Sequence, residues 1–556
     1  MMRRIAAALL GAIAFGNIGC TKLGSSAGNS LHAWTKPDTV RIGFYEEPDT
    51  LNPVIGQMSF SSDVFQLVFD GLIRFDERGR PVPDLAREVP SLANGGISKD
   101  GKTITYHLMP GAKWHDGVPL TSHDVAFTWR QIMNRSNVTP TRVGYERIQR
   151  IDTPDDRTVI VRLDRPYPPA IFLFKNLNQG AIVPEHILRG YASINKVPFN
   201  RGPIGSGPYI FESWQHGSEM RFRANHAYFR GAPKIEHVTI KFVPDQNTML
   251  SELRTHEVDL YFDIPPNQVE RVRAIDGLTV ASTSTLHWEH LNFNTKRPPL
   301  DDRNVRLALC YAMDEAAIYK KVYFGLGRNA PTHFNPDFGW GDPKIAYYPH
   351  DPTRAAALLD AAGWKLGADG MRRRAGVPLA FSISTVAGVK PREQIEVLLQ
   401  SDWHAIGANV TVKNAPAATL FAPAAAGGLI SGGKTDVALF TWVNSTPDPD
   451  DETYISPRSI PPLGQNDSFF SSEEIARAQA AGLATYDLTR RRAASSSTTS
   501  RNTCSIGSLR RPHIIPIFTA SRPSRSDRIC GISRRGRCAK AYHRHLRDGR
   551  YRSIVK

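Results

Sequence analysis

Residues 287–325 read HWEHLNFNTKRPPLDDRNVRLALCYAMDEAAIYKKVYFG, and the order of residue types in this stretch decides the fold. Residues 290–294 are compact and partly alternating, which is typical of a short strand. The RPP run at 297–299 cannot continue a central strand, because proline has no N–H for the ladder. Asp301 and Asp302 then offer oxygen acceptors to the unpaired N–H groups at a helix start. The stretch therefore predicts a strand, a turn and a capped helix that together open a second lobe.

The predicted helix has one buried face. Val305, Leu309, Ala312 and Met313 recur at helical spacing, and Gly325 ends the segment. Elsewhere the pattern predicts further elements of the same kind, with strands at 39–45, 103–109, 158–163, 209–214, 236–243, 379–385, 409–413 and 437–442. Thr121, Asp245 and Asp351 are the predicted N-caps of three further helices, and residues 391–407 form another. Helices that alternate with strands in this way indicate an open α/β sheet.

Four stretches carry a family resemblance. They are NFNTKRPPLDDRNVRLALCYAMD at 292–314, GPIGSGPYIFESW at 202–214, HAYFRGAPKIEHVTIKFVPD at 226–245 and KWHDGVPLTSHDVAFTW at 113–129. In their order along the chain, they resemble the signature blocks of the extracytoplasmic solute-binding proteins of family 5, the oligopeptide and dipeptide binders of peptide ABC transporters. The resemblance covers residues 40–487.

The resemblance implies a two-lobed α/β clamshell with an additional α+β domain. It implies a monomeric, non-enzymatic protein that has no cofactor, captures a peptide by hinge closure and delivers it to a membrane permease. The predicted domains are a lipoprotein signal peptide (1–20), a tether (21–37), lobe I (38–75 and 202–285), the additional domain (76–201), lobe II (286–488) and a basic tail (489–556).

The N-terminus predicts export and lipid attachment. Arg3 and Arg4 precede an apolar run that is too short to span a bilayer. The following NIGC sequence resembles a bacterial lipobox, with Asn17 where a leucine is usual. A diacylated Cys20 would then hold the protein at the membrane on its extracytoplasmic side. A plain cleaved signal with an incidental cysteine is the alternative.

Charge and cysteines separate the tail from the body. The chain has a net charge of +16, and residues 490–556 hold 18 basic and two acidic residues, so the body is neutral and predicts no nucleic-acid partner. Three of the five cysteines also lie in the tail, which argues against a disulfide framework in the body. Beyond residue 489 the Arg, Ser and Pro mixture has no glutamate or tryptophan. This composition cannot bury a core and predicts disorder. A slip of the coding frame near residue 489 is the preferred explanation, and a basic tail that binds nucleic acid or a membrane surface is the alternative.

The loop after the predicted strand at 437–442 is the expected ligand site. Ligands of open α/β sheets collect beyond the carboxyl ends of strands. Family members place an acid shortly after the tryptophan to pair with a peptide's amino terminus, and the matching positions here are Asn444 and Ser445. Neither is acidic. Asp448 and Asp450 are the nearest acids, either as ligand groups or as turn formers, and Trp442, Asn444, Ser445 and Asp448 are the predicted ligand-binding residues.

Other functions have less support in the residues. No GxSxG, HExxH or Cys/His arrangement indicates a secreted peptidase, and no CxxC spacing indicates a metal centre. His287 and His290 are three positions apart, so on a strand they face opposite sides and a single metal cannot easily use both. A binder of nickel, haem or a sugar with the same fold stays open as the alternative.

Overall fold

The computed structural model describes residues 36–56, 58–76, 79–262, 264–281, 287–326, 348–422, 424–443 and 452–487, together with 448, 450, 491, 504–505 and 515–518. The predicted signal peptide, the first 15 residues of the tether, Cys20, Asn444 and Ser445 lie outside these residues. No helix among the described residues has the length and apolar character needed to cross a membrane.

Lobe I is built on a mixed sheet whose strands come from both ends of the lobe. Its strands are β1 (Thr39–Phe44), β7 (Tyr209–Gln215), β8 (Glu219–Ala224), β9 (His237–Phe242) and β10 (Leu260–Tyr261). The strand order is β10-β1-β9-β8-β7, with β1 parallel to both of its neighbours and β7, β8 and β9 antiparallel. The helices of this lobe are α1 (Ser59–Val68), α4 (Gln246–Arg254) and α5 (Val269–Arg273). The sheet of lobe I therefore combines a strand from the start of the chain with strands from residue 209 onward, and the predicted domain boundaries at 75 and 202 stay predictions.

The additional domain has its own antiparallel sheet. Its strands are β4 (Thr103–His107), β5 (Ile148–Asp155) and β6 (Thr158–Leu163) in the order β4-β6-β5. A hairpin of β2 (Ile73–Phe75) and β3 (Pro81–Pro83) crosses the predicted boundary, and the helices are α2 (Ser122–Met133) and α3 (Glu185–Leu188). Ile104, Tyr106 and Val161 belong to the same apolar core as Val40 and Ile42. The additional domain thus shares its core with lobe I.

Lobe II has a separate apolar core and a second sheet. Its strands are β12 (His287–Phe293), β16 (Ala380–Ser384), β17 (Asn409–Val412) and β18 (Val437–Val443). A small three-stranded antiparallel sheet consists of β13 (Lys365–Leu366), β14 (Arg372–Arg374) and β15 (Val377–Pro378). The helices are α6 (Arg303–Ala312), α7 (Glu315–Lys321), α8 (Pro352–Ala361), α9 (Lys390–Ala405), α10 (Ala417–Leu420), α11 (Glu452–Ile455) and α12 (Glu473–Leu483). The sheet order is β17-β16-β18-β12-β19, where β19 (Cys504–Ser505) comes from the tail; β16 is parallel to β17 and β18, and β12 is antiparallel to β18 and β19.

The predicted caps are present where the sequence places them. The carboxylates of Asp245, Asp302 and Asp351 each accept a hydrogen bond from a backbone N–H in the first turn of their helix. Thr121 and Asp124 form a reciprocal capping box at the start of α2. Local side-chain chemistry therefore fixes where these helices begin.

Glycines in the GPIGSGPY signature have a packing role. A Cβ on Gly205 would lie 1.9 Å from the carbonyl oxygen of Val68, closer than any real contact. The imidazole of His115 contacts the same turn at two points. Its Nδ1 accepts a hydrogen bond from the Gly205 N–H at 3.2 Å, and its Nε2 lies 3.0 Å from the carbonyl oxygen of Gly207. Burial lowers the pKa of His115 to about 4, which keeps the ring neutral.

Three features differ from the sequence expectation. The helix predicted after Asp302 is two helices, because Asp314 caps α7 by accepting from the Ala317 N–H at 2.9 Å. Cys310 is disulfide-bonded, a link between distant positions that cysteine spacing cannot reveal. The expectation of disorder is wrong for the tail at β20 (Ile515–Phe518), which pairs antiparallel with β11 (Leu278–Ala281). β19 (Cys504–Ser505) likewise pairs with β12. Disorder of the remaining tail stays a prediction.

Candidate ligand-binding site

The two antiparallel strands β12 and β18 present different residues on their two faces. Side chains alternate along a strand, so even-numbered positions of both strands share one face. Trp288, His290 and Asn292 of β12 and Phe440 and Trp442 of β18 line a pocket on that face. The odd-numbered face packs against the helices of lobe II.

Residues from the segment that follows β18 complete the pocket. The cavity has a volume of about 40 Å³, room for a few water molecules, so it admits one small ligand group rather than a whole peptide. The contributing residues after β18 are Tyr454, Ile455, Gln465, Asp467, Ser468 and Phe470. Most of the wall is aromatic and few groups are polar, a composition that suits an organic ligand.

The aromatic wall is a continuous chain of ring contacts. The ring centroids of Trp288 and His290 lie 4.2 Å apart, and those of His290 and Phe440 lie 4.3 Å apart. Tyr454 bridges the two indoles, at 5.9 Å from Trp288 and 5.7 Å from Trp442. Because these rings hold one another, their faces are already in place for a ligand.

Two polar side chains in the pocket have no partner among the described residues. Oδ1 of Asp467 is shielded from solvent and accepts no hydrogen bond, and no cation lies within ion-pair distance of this carboxylate in the described part of the chain. Burial raises the pKa of Asp467 to about 7. Asn292 is only 8% exposed, and the structure gives its amide no hydrogen bond to any described residue. Both groups are therefore available to a ligand.

Asp448 has a different position from Asp467. Its two carboxylate oxygens accept hydrogen bonds from Arg491 at 2.7 and 2.5 Å, and both side chains are buried. Asp450 accepts from the hydroxyl of Tyr167 at 2.7 Å. The carboxylates of the Asp-Pro-Asp run are thus engaged inside the protein, the arrangement expected of structural rather than ligand-bearing acids.

The short helix α11 joins this pocket to the additional domain. Glu452 forms an ion pair with Arg147 at 2.9 Å, and Tyr454, two positions later, lines the pocket. Tyr486 also donates from its hydroxyl to the carbonyl of Gly101 at 3.3 Å. The segment after β18 therefore contacts the additional domain and also forms part of the pocket of lobe II.

The predicted site residues are only partly brought together. Trp442 lines the pocket, Asp448 lies in the pair with Arg491, and Asn444 and Ser445 lie outside the described residues. The sequence reasoning missed Trp288, Tyr454 and Asp467. The even spacing of Trp288, His290 and Asn292 was a usable signal, since it matches that of Phe440 and Trp442.

The described residues offer little to a metal ion. No group of three or more His, Cys, Asp or Glu side chains among them is placed to hold one. His290 is the only histidine among the described pocket residues. A resident metal therefore has no ligand set in this part of the chain.

The two separate cores and two sheets define the class of protein as a two-lobed binding fold. The family model "Bacterial extracellular solute-binding proteins, family 5 Middle" matches residues 80–458, and the chain belongs to this family.

The chain is similar along most of its length to other members. Protein XP55 of Streptomyces lividans is 31% identical over 440 residues, which cover 78% of each chain. The oligopeptide-binding protein AppA of Bacillus subtilis (strain 168) is 29% identical over 376 residues, 66% of this chain and 67% of that protein. The crystal structure of NikZ from Campylobacter jejuni in complex with Ni(L-His) superposes with a TM-score of 0.69 and 26% identity, covering 87% of this chain and 93% of NikZ.

Proposed function

We propose that this protein is the peptide-capturing component of an ABC importer. The observation that carries the proposal is the pocket of lobe II, whose aromatic wall contains an amide and a carboxylate oxygen that have no partner among the residues the structure describes. Membership of the solute-binding family and similarity to a protein named for oligopeptide binding support it. Main-chain hydrogen bonds give affinity in such complexes, and pockets accept side chains.

Binding is coupled to movement of the two lobes. A ligand that contacts both lobes is bound more tightly when they close, so it shifts the population toward the closed form. The closed form then presents one surface to a permease, which distinguishes loaded from empty protein. The protein acts as a monomer and releases its ligand chemically unchanged.

The test is to identify what the protein carries. Native mass spectrometry of purified protein, followed by denaturation and sequencing of released molecules, is expected to find peptides. Incubation with labelled peptides is expected to give binding and no cleaved product, whereas product formation would favour a peptidase. If calorimetry with a random peptide library gives no heat and no peptide co-purifies, the proposal fails.

A nickel–histidine complex is the second candidate ligand. NikZ was determined with Ni(L-His), and His290 places an imidazole in the pocket here. Calorimetry with nickel and L-histidine added together separates the candidates: binding that depends on His290 would favour the metal complex.

We also propose that the mature protein is held at the extracytoplasmic face of the membrane through a lipid on Cys20. The lipobox-like NIGC sequence supports this. Metabolic labelling with a fatty-acid precursor is expected to mark the wild-type protein and not a Cys20→Ala variant. Equal labelling of both, or of neither, would overturn the anchor.

A further inference from the structure

We propose that the pocket of lobe II selects ligands that carry a positive charge, an ammonium or a guanidinium group, and that the Asp467 carboxylate pairs with that charge beside the aromatic wall. This inference rests on the proposed function, because it specifies the chemistry of the ligand that the same site takes.

The first argument is the state of Asp467. An ionised carboxylate that is shielded from water is costly unless a cation or several hydrogen-bond donors compensate it. Oδ1 of Asp467 has no hydrogen bond, and the described residues supply no ion pair to the group. The raised pKa of about 7 has the same cause, since burial without a partner disfavours the charged form. A cationic ligand would supply the missing compensation.

The second argument is the choice of acids near the pocket. Asp448 is used by Arg491 and Asp450 by Tyr167, while Glu452 pairs with Arg147. None of these three carboxylates is available to a ligand without breaking a contact within the protein. Asp467 is therefore the anion that a ligand can reach among the described pocket residues.

The third argument is the aromatic wall. Indole and phenol faces attract cations, with indole the strongest, and the attraction grows when the site is shielded from water. The ring centroid of Tyr454 lies within 6 Å of those of both Trp288 and Trp442. Among the described residues that line the pocket there is no Lys or Arg to repel a cation.

The fourth argument is the amide of Asn292. It is buried at the base of the same pocket, and the described residues leave it without a partner. An amide can accept from an N–H of the cation or donate to a neighbouring carbonyl of the ligand. Asn292 and Asp467 come from distant parts of the chain, yet both line the one recess, which fits a shared ligand group.

The experiment compares matched peptides that differ only in charge. One pair is tetra-alanine with a free and with an acetylated amino terminus. The other is an acetylated tetrapeptide with lysine or with norleucine at one position. Calorimetry on the wild-type protein is expected to show at least tenfold tighter binding of the cationic member of one or both pairs.

Three variants assign this preference. Asp467→Asn is expected to lower the ratio of cationic to neutral peptide affinity below threefold, while the neutral peptide binds as before. Asp467→Glu is expected to keep most of the wild-type ratio. Glu473→Gln removes an exposed acid of α12 outside the pocket and is expected to leave the ratio unchanged.

The outcomes separate this inference from the proposed function. A wild-type protein with no charge preference, or an Asp467→Asn variant that keeps the full ratio, overturns the inference while peptide binding stands. If no peptide of either pair binds and the library experiment also fails, the proposed function and this inference fall together.

Discussion

The two faces of the β12 and β18 pair carry different kinds of chemistry although they come from the same strands. On the helix-facing side, Leu291, Phe293, Val437 and Leu439 are buried in the core of lobe II, and Glu289 and Thr441 are hydrogen-bonded to each other and to Arg392. On the other side, the aromatic rings pack on one another, and the described residues give no hydrogen-bond partner to Oδ1 of Asp467 or to the amide of Asn292. The comparison teaches that a single alternating sequence can stabilise the lobe on one face and leave binding groups available on the other.

The largest expected effect comes from the buried ion pair of the helix-facing side. Arg392 donates from Nε to Glu289 at 2.7 Å and from a terminal nitrogen to Thr441 at 2.6 Å, and Glu289 is almost fully buried. Arg392→Ala leaves that carboxylate uncompensated and is expected to lower the free energy of unfolding by about 3–5 kcal/mol. Urea denaturation measures the change.

The control for this variant lies on the same helix. Lys390 pairs with Glu393 at the surface, with 80% of its side chain exposed, so Lys390→Ala is expected to cost at most about 1 kcal/mol. Equal losses in the two variants would show that the pair with Glu289 adds nothing to stability.

A core truncation gives the next effect. Leu439 is fully buried among the lobe II residues, and Leu439→Ala is expected to lower the free energy of unfolding by about 2–5 kcal/mol through lost contacts and a cavity. Val397→Ala on the exposed face of α9, where the side chain is 62% exposed, should change it by no more than about 0.5 kcal/mol. Peptide affinity, measured on the fraction that remains folded, should be unchanged in both.

The pocket face is tested with Trp442→Ala. The side chain is half-buried, and its ring contacts Phe440 and Tyr454, so its loss removes ligand contact area with a modest loss of packing. We expect ligand affinity to fall at least tenfold, about 1.4 kcal/mol, while the melting temperature changes little. Leu463→Ala, at an 83% exposed position, is the control. A Trp442→Ala protein that loses stability without losing affinity would place the residue in the core.

The smallest effect is a pH dependence. The folded pKa of Asp467 is about 7, well above the value of about 4 for an unfolded chain. Between these values the folded state binds the proton and the unfolded state does not, so the contribution of this group to stability is present below pH 4 and is lost as the pH rises to 7. Asp467→Asn has no carboxylate to ionise, so the variant is expected to have a free energy of unfolding about 1 kcal/mol higher than wild type at pH 8. The difference is small because solvent screens a partly exposed group.

The helix-facing side offers a matched group for that measurement. Burial also raises the pKa of Glu396 on α9 to about 7, although Asn414 donates to it at 2.8 Å. Glu396→Gln is therefore expected to be more stable than wild type at pH 8 as well, but with unchanged ligand affinity.

One result would contradict the prediction for Asp467. If Asp467→Asn and wild type have the same stability at pH 5 and pH 8, the Asp467 carboxylate is ionised and compensated in the free protein.

Elements set by local chemistry were predictable from the sequence. The strand at 158–163 has the predicted bounds because its side chains alternate between buried and half-buried positions, and Asp245, Asp302 and Asp351 cap helices by contacts within three residues. The break at Asp314 was missed because the apolar spacing continues across it, whereas a single cap contact decides the outcome.

The candidate site depends on contacts between distant residues, and for that reason it was predicted only in part. Trp442 follows from its place at the end of a buried strand. Asp448 is a predicted ligand group because it is one of the acids nearest to Asn444 and Ser445, and no local pattern predicts its pair with Arg491, 43 positions away. Residues 465–470 have no periodicity that would assign Asp467 to a pocket wall, and only the structure shows that no described residue hydrogen-bonds to its Oδ1.

Helix α11 is four residues long, and it touches Arg147 through Glu452 while Tyr454 forms part of the pocket wall. Glu452 and Tyr454 lie on the same helical turn. A ligand that displaces the Tyr454 side chain is therefore expected to displace the Glu452 carboxylate beside Arg147 as well. An environment-sensitive fluorophore attached near Arg147 would consequently report ligand binding without contacting the ligand. The contact between Glu452 and Arg147 is therefore a suitable place to build a fluorescent sensor.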